Sequence, residues 1–216
     1  MTSKRAVGIF GGTFDPVHFG HLRAATEAFE RLPIDRFHLL PAGSPPHRTR
    51  TFASAEHRLA MLALATDDYP ELVVDDREVR RQGESYMVDT LAEIRGEAGD
   101  APLVLMVGQD AVNQLDKWYR WRNLFDLAHL VVMRRPKSRH EYSGELFEEL
   151  QPRLIEDPEL LRGKPAGCVL PLEVTQLEIS STGIRELIAS RRSPRFLLPE
   201  SVIQYIRKHG LYEPQS

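Results

Sequence analysis

The apolar residues of the chain fall into two alternating rhythms. Short unbroken runs, such as Ala6-Val7-Gly8-Ile9-Phe10, Leu72-Val73-Val74, the segment 103–107 and Leu130-Val131-Val132-Met133, have the length and branched content of fully buried strands. A further short strand reads at 36–40, and a last one is expected near 173–177, led in by Val169-Leu170-Pro171-Leu172. The third strand is expected to run on from Leu72 toward Glu78. Between these runs the apolar positions recur every three or four residues. After His21 the series Leu22, Ala25, Ala28/Phe29 and Leu32 predicts a helix. Ser54 is the expected N-cap of a helix over 55–66, with Leu59, Leu62 and Ala63 facing inward. Ser85 opens another over 85–97, with Val88, Leu91, Ala92 and Ile94 near one face. Helices are also expected at 145–154, at 183–190 behind Ser180-Ser181-Thr182, and at 201–209, where Pro199 stands at the start and Gly210 at the stop.

Strands alternating with helices predict an α/β fold, a mainly parallel sheet with helices on both faces. One domain spanning 1–216 is expected, with a helical C-terminal part from about 180 to 216. In such sheets ligands bind beyond the carboxyl ends of the strands. The chemically unusual stretches stand at those places: GGTFDPVHFGH after the first strand, PAGSPPHR after the second, GQD after the fourth, RRP after the fifth and ISST after the last. The charged, proline-punctuated region 137–166 gives no functional signal.

Composition narrows the classes. A hydrophobic content of 42% and a charged content of 27% are those of a soluble globular protein. The net charge of −3 offers no basic field for nucleic acid, so an anionic substrate must be met by local cations. A single cysteine excludes a disulfide framework and fits a reducing cytoplasm. The apolar run after Met1-Thr2-Ser3-Lys4-Arg5 is too short for a signal or membrane segment.

Gly11 and Gly12 permit a tight turn and a close approach of backbone to ligand. His18 and His21 stand three apart at a predicted helix start, where free N–H groups and the macrodipole favour an anion. Read as metal ligands they lack company, since Cys168 is far away and has no partner at zinc-like spacing; no protein metal site is expected. A G-x-G-x-x-G fingerprint and a Walker Lys-Ser/Thr are both absent. A phosphate site is the reading that remains. Ser180, Ser181 and Thr182 with Arg185 one turn on also suit a phosphate chain, although alone they read equally as an ordinary helix cap. By the same token Trp118 and Tyr119 read alone as core anchors, Asp110 as a cap, and His47-Arg48 as a solvated basic loop.

GGTFDPVHFGH resembles the signature of the nucleotidyltransferase superfamily carrying the T/HxGH motif, and most of all its bacterial nicotinate-nucleotide adenylyltransferase branch. The resemblance continues through PPHR, SYM, GQD, the Trp118-Tyr119 pair and ISSTGIR. It implies a Rossmann-like nucleotidylyl transferase fold and the reaction of ATP with nicotinate mononucleotide. It implies that His18, His21 and Arg185 carry catalysis. Gly11, Gly12, Thr13, Phe14, Ser180, Ser181, Thr182, Gly108, Asp110 and Arg134 would hold ATP and its phosphates, Asp110 at the ribose. His47, Arg48, Tyr86, Met87, Trp118 and Tyr119 would hold the mononucleotide, Trp118 by stacking on the pyridine ring. Backbone N–H groups near Tyr86–Met87 and Tyr119 would read the nicotinate carboxylate. Two positions depart from the family pattern: Arg48 replaces a lysine, exchanging a point charge for a planar fork, and Met87 replaces a threonine. Mg²⁺ is expected with ATP. The expected partners are these small molecules, with no nucleic acid and no membrane; a homo-oligomer stays open. Two rivals remain at this point: an HxGH transferase acting on phosphopantetheine or glycerol phosphate, and a non-catalytic nucleotide-binding regulator.

Overall fold

A computed structural model describes residues 5–44, 51–134 and 142–214. Six strands, β1 (Val7–Gly12), β2 (Arg36–Pro41), β3 (Leu72–Val74), β4 (Leu103–Gly108), β5 (His129–Arg134) and β6 (Val169–Glu173), form one sheet in the order β3-β2-β1-β4-β5-β6. Every pairing is parallel. The order reverses direction between β1 and β4, so the crevice expected of a doubly wound sheet opens beyond Gly12 and Gly108.

The helices are α1 (Phe19–Arg31), α2 (Ala55–Thr66), α3 (Arg77–Arg80), α4 (Met87–Ala98), α5 (Gln109–Val112), α6 (Leu124–Leu127), α7 (Gly144–Leu150), α8 (Ser181–Ala189) and α9 (Glu200–Lys208). Successive strand residues serve opposite layers. Phe10, Met106 and Val131 join the core under α1, α2, α8 and α9. Ile9, Leu105 and Leu130 join the core under α4, α6 and α7. Val202, Ile203 and Ile206 of α9 belong to the first of these cores, so the C-terminal helix packs on the same sheet as the N-terminal strand.

The differences from expectation have local causes. Strand β3 stops at Val74 and does not run on toward Glu78, because the Asp75 carboxylate accepts the Arg77 N–H at 3.1 Å and turns the chain into α3. The last strand is Val169–Glu173, not 173–177. Buried Glu27 of α1 accepts the Thr175 N–H at 2.8 Å and draws the chain off the sheet. The helix expected over 145–154 ends at Leu150, and Pro152, which lacks an N–H, falls in a 3₁₀ turn after it. Helix α4 begins at Met87 because the Ser85 hydroxyl is occupied elsewhere, accepting the Ser44 N–H at 3.4 Å. Ala92 is exposed on it, and Thr90 takes a place in the buried face. On α2 the buried face is Arg58, Met61, Leu62, Ala65 and Thr66, while Leu59 is only half-buried and Ala63 is exposed.

Candidate active site

The site is assembled at the carboxyl edge of the sheet from the stretch after β1 and the start of α8. Helix α1 begins at Phe19, three residues earlier than its apolar series suggests, so His18 is the N-cap and His21 lies in the first turn. The spacing then places the imidazoles on one face, stacked with centroids 3.7 Å apart. Gly20 makes room for this: a Cβ there would meet the His18 ring at 3.0 Å, with the Ile179 carbonyl beyond at 3.7 Å. The first turn of α1 contains no acidic residue, which leaves its free N–H groups and dipole for an anion.

Burial pushes the His18 imidazole down to about 4, and burial together with the neighbouring His18 holds His21 well below its ordinary value. Both rings are neutral at pH 7. Each Nδ1 is buried with no hydrogen-bond partner among the described residues. Unpaired buried polar atoms are costly, and two of them side by side at a helix N-terminus mark a place a ligand completes.

Helix α8 is bound directly to the same loop. Ser180 acts as its N-cap, accepting the Gly183 N–H at 3.0 Å. Ser181 Oγ donates to the Pro16 carbonyl at 2.9 Å. The Arg185 guanidinium donates to the Asp15 carbonyl at 2.7 Å and to Thr182 Oγ1 at 3.1 Å, and lies 4.2 Å over the Phe52 ring. The three hydroxyls are therefore engaged inside the protein. The helix start and the aligned Arg185 are what the segment offers to phosphate.

A cavity of about 180 Å³ adjoins the glycine turn. Gly11, Gly12 and Thr13 form one wall, and Tyr86, Met87, Trp118 and Tyr119 form the others. A Cβ at Gly12 would meet the Phe14 ring at 2.8 Å, whereas one at Gly11 would meet only Met87 Cε, at 2.6 Å, the movable end of a flexible side chain. Phe14 itself is buried with its ring edge-on to His21 at 5.1 Å. Tyr86 and Tyr119 lie 4.6 Å apart as a tilted pair. Tyr86 is the N-cap of α4, so the first N–H groups of that helix, at Met87 and Val88, lack intrahelical partners, and both residues line the cavity. The arrangement suits a flat ring bearing a carboxylate: aromatic walls and uncharged backbone donors.

The remaining predicted residues are more scattered. Gly108 is the N-cap of α5 at the end of β4, and Asp110 is exposed in the first turn without capping it. Arg134 closes β5 and donates to Glu173 Oε1 on β6 at 3.2 Å. His47 and Arg48 lie outside the described residues. Among the described residues no group of three His, Cys, Asp or Glu gathers to hold a metal, and no helix is long and apolar enough to cross a membrane.

Four residues important to the site escaped the sequence reading. Asp15 is buried and accepts the Phe52 N–H at 2.8 Å and the Ala53 N–H at 3.2 Å. Arg58 is fully buried and donates to the carbonyls of Thr13 at 2.8 Å and Gly43 at 3.0 Å. Tyr212 donates to Asp15 from the far end of the chain. Glu78 lines the cavity, accepts the Thr90 hydroxyl at 2.7 Å, and has its carboxyl pushed up by burial. Only Arg58 left a signal, its place in line with Met61, Leu62 and Ala65 on the apolar face.

Residues 9–187 match the sequence profile of the family described as cytidylyltransferase-like. The chain is 48% identical to the "probable nicotinate-nucleotide adenylyltransferase" of Acidithiobacillus ferrooxidans, covering 95% of this chain and 94% of that one. It is 48% identical to the protein of the same name from Methylococcus capsulatus, over 95% and 99%. Its fold is similar to the structure of Plasmodium falciparum nicotinic acid mononucleotide adenylyltransferase complexed with NaAD, with a TM-score of 0.72, 14% identity, and 96% and 97% of the two chains covered.

Proposed function

The chain belongs to the cytidylyltransferase-like family, among the nicotinate-nucleotide adenylyltransferases, and from that premise we propose what its site does. It transfers the adenylyl group of ATP to nicotinate mononucleotide, giving nicotinate adenine dinucleotide and pyrophosphate. The observation that carries this reading is the His18–His21 pair with two unpartnered buried nitrogens, set beside Arg185 and next to an aromatic cavity.

A phosphate oxygen of the mononucleotide attacks the α-phosphorus of ATP, the bond to the bridging oxygen breaks, and pyrophosphate leaves with the electron pair. The attacking phosphate is already an anion, so the step requires no general base and no covalent enzyme intermediate. The barrier lies in bringing two anions together and spreading charge onto the leaving group, and catalysis is positioning with electrostatic stabilisation. His18 and His21, neutral in the free protein, donate to phosphate oxygens, and the approach of that negative charge favours their protonated form. Arg185, held by Asp15, Thr182 and Phe52, grips the leaving side. Trp118 stacks on the pyridine ring, and the N-terminus of α4 takes its carboxylate.

We assign ATP as its Mg²⁺ complex. Since the described residues gather no carboxylate cage, phosphate oxygens and water would hold the ion, which would lower the charge of the triphosphate. The single cysteine, Cys168, is a buried thiol, in keeping with a cytoplasmic setting. The test is to mix the protein with ATP, Mg²⁺ and nicotinate mononucleotide and identify the product by mass. Formation of the adenine dinucleotide supports the reading; ATP left intact refutes it.

A further inference from the structure

The end of the chain reaches the active site. After α9, Gly210 reverses the backbone at φ 59° and Leu211 N–H bonds back to the Ile206 carbonyl at 3.0 Å. Tyr212 then takes φ 65°, a left-handed conformation that a bulky L residue adopts at a cost. The outcome of that strain is a phenol aimed inward, whose hydroxyl donates to Asp15 Oδ1 at 2.7 Å across 197 positions of sequence. Burial and the neighbouring carboxylate hold the phenol far above its usual range, so it remains a donor at every working pH.

Asp15 is where the two phosphate-binding elements meet. Its carboxylate accepts the N–H groups of Phe52 and Ala53, and its carbonyl accepts Arg185. The next carbonyl, of Pro16, accepts Ser181, and His18 follows two residues later. A movement of Asp15 therefore shifts both the arginine and the histidines that face ATP.

We propose that Tyr212 is a positioning residue of adenylyl transfer: through its hydrogen bond to Asp15, the C-terminal segment holds His18 and Arg185 in register with the phosphates of ATP. This inference rests on the adenylyl-transfer reading. Tyr205 on α9 supplies a matched control, because its hydroxyl bonds His57 Nδ1 at 2.9 Å among residues outside the site.

The experiment compares the full-length wild type with Y212F, Y205F and Tyr212→Leu, each confirmed folded by circular dichroism at the assay temperature. Y212F is expected to lower kcat ten- to thirtyfold with KM for the mononucleotide within twofold, because the nicotinate cavity is untouched; Y205F is expected to match wild type. The ¹⁵N resonances of the His18 and His21 rings should move in Y212F and stay in place in Y205F, a readout that needs no turnover. Wild-type kinetics and unmoved histidine resonances in Y212F would overturn the proposal. So would loss of activity confined to Tyr212→Leu, which would make the ring's packing the whole role. A wild type that never releases pyrophosphate would instead refute the adenylyl-transfer reading, leaving the histidine spectra to judge Tyr212.

Discussion

At the scale of single residues, chemistry is concentrated in groups whose surroundings leave them unsatisfied. The Nδ1 atoms of His18 and His21, without partners among the described residues, are unfavourable in the free protein, and in the proposed function an arriving phosphate satisfies them. Replacing His18 with alanine should lower kcat by about 10²- to 10³-fold, the range for removing one preorganised donor, with the circular dichroism spectrum unchanged. Trp118→Ala should raise KM for the mononucleotide about tenfold, the equivalent of one lost cation–ring contact, and leave KM for ATP within twofold. Steady-state kinetics with each substrate varied separates the two. The pair also dictates acid behaviour. His18 ionises at about 4 in the fold against an ordinary value of 6.5, so the unfolded chain binds the proton that the folded chain refuses. Stability is complete above about pH 6.5 and declines as pH falls toward 4, by at most about 1.4 kcal/mol per pH unit for each such histidine. Urea denaturation across this range should show a shallower decline in His18→Ala than in wild type.

Elements set what those residues can reach. The three-residue spacing of the histidines matters because α1 begins at Phe19, which brings the rings onto one face with Gly20 beneath them. Gly20→Ala places a methyl 3.0 Å from the His18 ring, so kcat should fall about ten- to hundredfold. Alanine also favours the helix, so the melting temperature should hold or rise, and calorimetry beside kinetics checks both. At this scale the sequence was most legible. The apolar runs located five of the six strands, and the glycine and serine punctuation located the ends of α8 and α9. What local pattern could not carry were contacts from distant segments. The capture of Thr175 by Glu27 ended β6 early, and the capture of Ser85 by Ser44 delayed α4. On α2 the inward face was read from Leu59, Leu62 and Ala63, without Arg58. The fold buries it, because its guanidinium serves the carbonyls of Thr13 and Gly43.

The whole molecule joins two halves of a parallel sheet, and the proposed substrate sites straddle the reversal in strand order. The cavity proposed for nicotinate lies between the turn after β1 and the starts of α4 and the Trp118 segment, while the residues proposed to bind phosphate stand where that turn meets α8. His18, His21 and Arg185 were visible in the sequence as motifs, and the structure brings their loops within hydrogen-bond distance of one another. Asp15 and Tyr212 were not visible, since no local pattern joins residues 197 positions apart. The most direct test of the account is the initial rate of pyrophosphate release from ATP and Mg²⁺ with nicotinate mononucleotide, nicotinamide mononucleotide and phosphopantetheine in parallel. Rapid release with the first, much slower release with the second and none with the third is the predicted result. Equal rates with the two pyridine nucleotides would remove the α4 N-terminus as the carboxylate site, and release with phosphopantetheine alone would contradict the account.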